Sequence, residues 1–342
     1  MLRSAQAAIA GVAVGAVLAS GGCGGNDDPA PAPPPPPETR LLDALESIGG
    51  AESFTGTGYG WIDVEALPRD DLEWAARALG PGGDRLVLDP ASTTGLGLRL
   101  ADARRLVSLS GSYVFGVRAD GVKTEVADAA LRNAGATATR GSAWTTFDLG
   151  PPASRPLGDA LEPVGALASR TALRDDSIVL ARMDEVRADL EGEGTPASEA
   201  PVALVSSACL GDVDAARIVP NNFTHLPNVG PDVMAFGVET PEAGERREVL
   251  CAIDEEAEEI DEAEAGMRQA LAPGAVDEVT GERISMLIDK AEIERLELEG
   301  LPVLRARLDL SPTNGPGFLF GTFVRGSMVT YFGLQPPLAD AE

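Results

Sequence analysis

Apolar and polar positions along this chain fall into short blocks whose period switches repeatedly between helical and extended spacing. Leu41, Leu42, Leu45 and Ile48 share one helical face ahead of Gly49-Gly50, which predicts a short helix over 38–48. Residues 54–64 read as an extended segment rich in glycine and aromatics, and a helix over 70–79 stops at Gly80-Pro81-Gly82-Gly83. Val107, Leu109, Gly111, Tyr113, Phe115 and Val117 then alternate with a mostly polar set, the pattern of a strand with one solvated face. Asp120-Gly121 turns the chain, and Val122, Val126, Ala130 and Ala134 repeat at helical spacing up to Gly135. Two short extended runs meet at Gly141-Ser142.

Beyond the prolines of 151–156 the pattern predicts a hairpin over 169–182, turned at Asp175-Asp176, then helices over 184–190 and 199–210. Strands follow over 233–239 and 247–253, then a long acidic helix over 254–272 with Ala257, Ile260, Met267 and Leu271 as its stripe. Four more strands are predicted over 284–288, 303–310, 318–324 and 328–334. The fold class that emerges is α+β, with mixed or antiparallel sheets and single amphipathic helices packed on one face. The predicted organisation is an N-terminal domain over 38–155 and a C-terminal domain over 156–342. Their similar make-up admits a diverged duplication, although no fixed-period repeat is visible.

The first 37 residues have a separate pattern. Arg3 precedes an unbroken run of small and apolar residues over 7–19, about the length of a signal-peptide h-region and short of the ~20 residues that span a bilayer. Ser20, Gly21 and Gly22 stand immediately before Cys23. This arrangement resembles the lipobox of bacterial lipoproteins, with Ser20 where that motif places leucine and Leu18 two positions earlier. The resemblance implies that residues 1–22 are a signal peptide and that Cys23 becomes a lipidated N-terminus, carrying a diacylglycerol and a palmitate-type acyl chain. It also implies a protein anchored on the extracytoplasmic face of the cell membrane. Two or three acyl chains hold a protein stably at a bilayer, where one does not. Cleavage by ordinary signal peptidase, giving a soluble secreted protein, is the alternative. Residues 23–37 form the tether, and the prolines between 29 and 37 predict a polyproline II spacer of roughly 28 Å. The globular part is similar in general style to uncharacterised exported lipoproteins, a likeness that carries no activity with it.

Composition narrows the function classes. The chain is 44% hydrophobic with a formal charge of −27, which suits a globular body and argues against nucleic acid as a partner. There are three cysteines. With Cys23 assigned to lipid, Cys209 and Cys251 are left either to pair as one disulfide or to remain two buried thiols.

The search for catalytic chemistry returns little. His225 is the single histidine, set in a polar loop with no Gly-x-Ser-x-Gly elbow anywhere to partner it. One histidine and no Cys-x-x-Cys pair predict no metal site of the zinc kind, and no cofactor is expected. The glycines at 56, 58 and 60 lack the rest of a phosphate loop, and the interleaved Tyr59 and Trp61 read as core rather than as a ligand groove. The acidic run from Asp254 to Glu264 reads as a solvated helix face, and Asp63 with Glu65 forms a carboxylate pair only in the loosest glycosidase sense. The function expected on these grounds is a lipid-anchored envelope protein, a non-enzymatic binding or support module with an unknown protein or small-molecule partner. A carboxylate-based cell-wall hydrolase and a calcium-binding surface protein are the alternatives.

Overall fold

A computed structural model of the chain describes residues 38–52, 57–80, 83–89, 93, 95–111, 115–149, 169–220, 231–240, 246–277, 281–311 and 316–324. Cys23, the tether, His225 and the strand predicted over 328–334 lie outside the described residues. The chain forms α1 (Arg40–Glu46), β1 (Gly58–Asp63), α2 (Leu72–Ala75), α3 (Gly83–Leu88), β2 (Arg105–Ser110), β3 (Phe115–Asp120) and α4 (Thr124–Asn133). There follow β4 (Thr137–Arg140), β5 (Thr145–Asp148), β6 (Arg170–Arg174), β7 (Ser177–Ala181), α5 (Asp184–Glu191) and α6 (Pro201–Leu210). The last elements are β8 (Ala215–Pro220), β9 (Val233–Glu239), β10 (Arg247–Ile253), α7 (Ala257–Ala270), α8 (Ile284–Leu287), β11 (Ile288–Leu298), β12 (Leu301–Leu310) and α9 (Phe318–Val324).

The twelve strands among the described residues belong to one open sheet, antiparallel at every pairing, in the order β11-β12-β10-β9-β8-β1-β2-β3-β7-β6-β5-β4. This corrects the expected fold class: there are not two domain-sized sheets with helices on one face. Adjacent residues along a strand feed two separate cores, as a pleated sheet covered on both sides requires. Trp61, Val107 and Ile218 pack with Leu45 of α1, Leu190 of α5 and Val205 of α6. Ile62, Leu106 and Phe236 pack on the opposite face with Leu131 of α4, Met267 of α7 and Phe320 of α9. The polar positions of β2 are therefore not solvated as expected; Ser108 and Ser110 are buried and bonded to Leu79 O and to the Arg217 guanidinium.

The seam that makes the sheet continuous is β1 against β8, with Gly60 opposite Arg217 and Trp61 opposite Ala216. Outward from it, both flanks repeat one order. Each begins with a three-strand meander (β1-β2-β3 and β8-β9-β10), continues with β7 or β12, and then places β6 or β11. The β8 strand escapes notice in the sequence because Arg217 interrupts its apolar run and Pro220 closes it.

Three further expectations change. The strand predicted over 107–117 is a hairpin, with Ser110 of β2 facing Phe115 of β3. Residues 284–288 begin as the helix α8, and the strand starts at Ile288, its charges turned outward on the sheet's edge. Residues 318–324 form α9 instead of a strand, because its first amides are bound by Glu248 of β10, about 70 positions earlier in sequence.

Candidate functional site

Cys209 of α6 and Cys251 of β10 form a disulfide, with Cα atoms 6.3 Å apart, fastening a helix to the third strand from one edge of the sheet. The other residues singled out in the sequence do not meet in one place. Asp63 ends β1 in an ion pair with Arg40 at 2.8 Å, while Glu65 is exposed in the turn beyond, so the two carboxylates share no site. Tyr59 and Trp61 are buried; the Tyr59 hydroxyl donates to Gly50 O at 2.7 Å, and Arg40 lies 5.9 Å from the Trp61 ring centre. Arg40 also binds Asp212 and Asp214, which ties α1 to the start of β8.

The glycine pattern has a structural purpose. A Cβ at Gly60 would lie 2.2 Å from Ala78 O, and one at Gly80, where φ is +78°, would lie 2.3 Å from Arg217 Nη1. Gly60 thus admits the backbone of the 76–79 turn, and Gly80 leaves room for the fully buried Arg217, which donates to Ala78 O at 3.2 Å and to Ser110 Oγ at 2.5 Å. Burial pushes this guanidinium down to about 9.

Much of the acidic run on and before α7 is solvated or internally satisfied. Asp254 is buried and accepts from the amides of Asp232 and Glu256, whereas Glu255, Glu256 and Glu258 are exposed. Asp261 and Glu264 both pair with Arg295 of β11. Among the described residues no three His, Cys, Asp or Glu side chains converge as a metal site would need.

Two buried carboxylates went unnoticed in the sequence. Asp120 accepts from Arg118, Arg105 and Ser177, and burial, which would raise it, is outweighed by the two arginines, leaving it below its ordinary value. Arg118 in turn donates to Ser47 O and Leu190 O, the carboxyl ends of α1 and α5, where cations are favoured. Glu248, 1% exposed, accepts from the amides of Gly317, Phe318 and Leu319 at 2.5–2.6 Å. Burial pushes its carboxyl up to about 7, against the three amides that favour the anion. Both groups are enclosed, so they build the fold and offer nothing to a ligand.

An accessible concavity lies at the far end of the sheet. The groove beside strands β4 and β5 has a volume of about 300 Å³, the lower end of the range for small-ligand sites. Its floor carries Thr137 and Thr139 of β4 with Thr146 and Asp148 of β5; the register sets Thr139 opposite Thr146 and Thr137 opposite Asp148. Its wall is Arg170 of β6 with Asp184 and Arg187 of α5. Arg170 spans both carboxylates, at 2.5 Å from Asp148 Oδ1 and 2.9 Å from Asp184 Oδ2. Arg187 bonds Asp184 at 3.3 Å and continues to Glu191. Burial acts to raise Asp184, but Arg170 and Arg187 outweigh it and hold the carboxyl below its ordinary value. The sequence signal was present: Thr at 137, 139 and 146, ahead of Asp148, marks a hairpin with one polar face.

Comparison with protein-family models, with curated proteins and with solved structures gives no match.

Proposed function

We propose that this chain is a lipid-anchored protein of the cell envelope whose body binds a partner without transforming it. The observation that carries the binding role is the state of the groove's carboxylates. A glycoside hydrolase needs one carboxyl held protonated near neutral pH as a general acid and a second left free. In the groove one guanidinium grips both Asp148 and Asp184, and Asp184 is held below its ordinary value. Held by two arginines, Asp184 is not poised as a general acid, and such a ladder holds a shape and a charge pattern. The anchor is supported by Cys23 behind its small residues, and by the Cys209–Cys251 disulfide, a bond typical of exported proteins. No helix among the described residues is long and apolar enough to cross a membrane.

The test is an incubation of the purified protein with cell-wall glycans, followed by measurement of new reducing ends. The expected result is no release above a boiled control. Release that disappears in Asp184→Asn would contradict the binding role and restore the hydrolase.

A further inference from the structure

We infer that the groove between α5 and strands β4–β6 takes a neutral, hydroxyl-rich ligand, a short oligosaccharide. The inference rests on the binding role proposed above and adds the chemistry of what is bound. It follows from how the groove's charges are spent and from what remains to make hydrogen bonds.

The charged side chains of the wall form one chain of ion pairs, Asp148–Arg170–Asp184–Arg187–Glu191. An incoming cation meets carboxylates already bound to arginine. An incoming anion meets arginines already bound to carboxylate, on a protein whose formal charge is −27. A cation would have to displace an arginine to pair fully, and an anion could reach only the N–H groups that the existing pairs leave over, beside carboxylates that repel it, each at the further cost of its own desolvation. A neutral polar ligand meets neither obstacle. Arginine has five N–H donors in a fixed fork, and Arg170 and Arg187 each bind carboxylates through only Nε and Nη1 among the described residues. The donors left over suit hydroxyl oxygens.

The floor matches the same chemistry. Thr137 and Thr139 sit two residues apart on β4, so their side chains share one face about 7 Å apart, and Thr146 stands across from Thr139 about 5 Å away. All of β4 is exposed, and the hydroxyls of Thr137 and Thr139 bond no described residue. A threonine hydroxyl both donates and accepts, as a sugar hydroxyl does, so Thr137 and Thr139 can pair with a polyol in either sense, while Thr146, which donates to Thr139 O at 3.2 Å, is left to accept. An apolar ligand would leave these groups unpaired and is disfavoured for that reason.

The experiment is calorimetric titration of the full-length protein in detergent with four probes: maltotriose, chitotriose, trigalacturonate as an anion and spermidine as a cation. The expected result is saturable binding of at least one neutral trisaccharide, weakened at least tenfold in the Thr137→Val/Thr139→Val double variant and in Arg170→Met. The valine variant preserves strand-forming shape on an exposed edge, and an unchanged melting temperature confirms that it is folded. Absence of binding by both neutral probes overturns the inference, as does binding that the valine variant leaves unaltered. Saturation by trigalacturonate or spermidine alone also overturns it, while leaving the groove a binding site. The anchor is read separately by lipid labelling, so a failed titration on a labelled protein rejects the ligand class and not the location.

Discussion

At the residue scale, Glu248 is the side chain whose environment is most at odds with its chemistry. It is enclosed in the core, and its carboxyl is pushed up to about 7 from an ordinary value of 4.5. Between those limits the folded protein holds a proton that the unfolded chain releases. The stability due to this group is therefore complete below pH 4.5 and lost as pH rises through 7, by about 3 kcal/mol for a gap of this size. Asp120 works in the opposite sense: its folded value is depressed, so its contribution is present above the ordinary carboxylate range and lost on acidification. Glu248→Gln removes the first effect and keeps the second. Denaturant midpoints measured between about pH 5 and 8 should fall for the wild type and stay level for the variant. Parallel curves would show that Glu248 titrates normally. Neither residue was legible as special in a chain with 54 acidic side chains, because what distinguishes them is tertiary burial and no local pattern.

At the element scale, local rules account for the segments whose partners are near in sequence. The hairpin of β6 and β7 turns at Asp175 and Asp176, α6 opens with Pro201 in its first turn, and α5 ends on Gly192 in the left-handed region. The misread elements are those fixed from a distance. Residues 318–324 have the composition of a strand, yet Glu248 binds the amides that a helix start leaves open. The charge-rich β11 is extended because it pairs along β12, where Glu294 meets Arg305 and Arg307. The link between α6 and β10 is covalent and closes a loop of 42 residues. In the chain-entropy account its loss costs about 4 kcal/mol. The paired substitution Cys209→Ala/Cys251→Ala should lower the unfolding free energy by that order while leaving the far-ultraviolet dichroism unchanged. A change under about 1 kcal/mol would mean that the helix is held by packing alone.

At the scale of the whole molecule, the seam between β1 and β8 decides the architecture. Once β8 is overlooked, the chain reads as separate sheets; once it is present, strands from both predicted segments share one sheet clothed by helices on both faces. Of the glycines that read as a failed phosphate loop, Gly58 lies against the Arg217 guanidinium beside that seam and Gly60 lets the backbone at Ala78 come close. The groove was half legible, since its threonine alternation is local, while Arg170 and α5 reach it only through the sheet order. The proposed leader is different in kind, because its signal lies wholly in sequence and depends on no packing. The proposed location stands on Cys23, since a chain with a formal charge of −27 has no electrostatic attraction to an anionic bilayer. The measurement that bears on it most directly is metabolic labelling with radioactive palmitate in a bacterial host that processes lipoproteins, comparing wild type with Cys23→Ala in membrane and soluble fractions. The account predicts label on the wild-type protein in the membrane fraction and none on the variant, which should appear unlabelled in the soluble fraction. Absence of label from the wild type, or equal label on both, would contradict it.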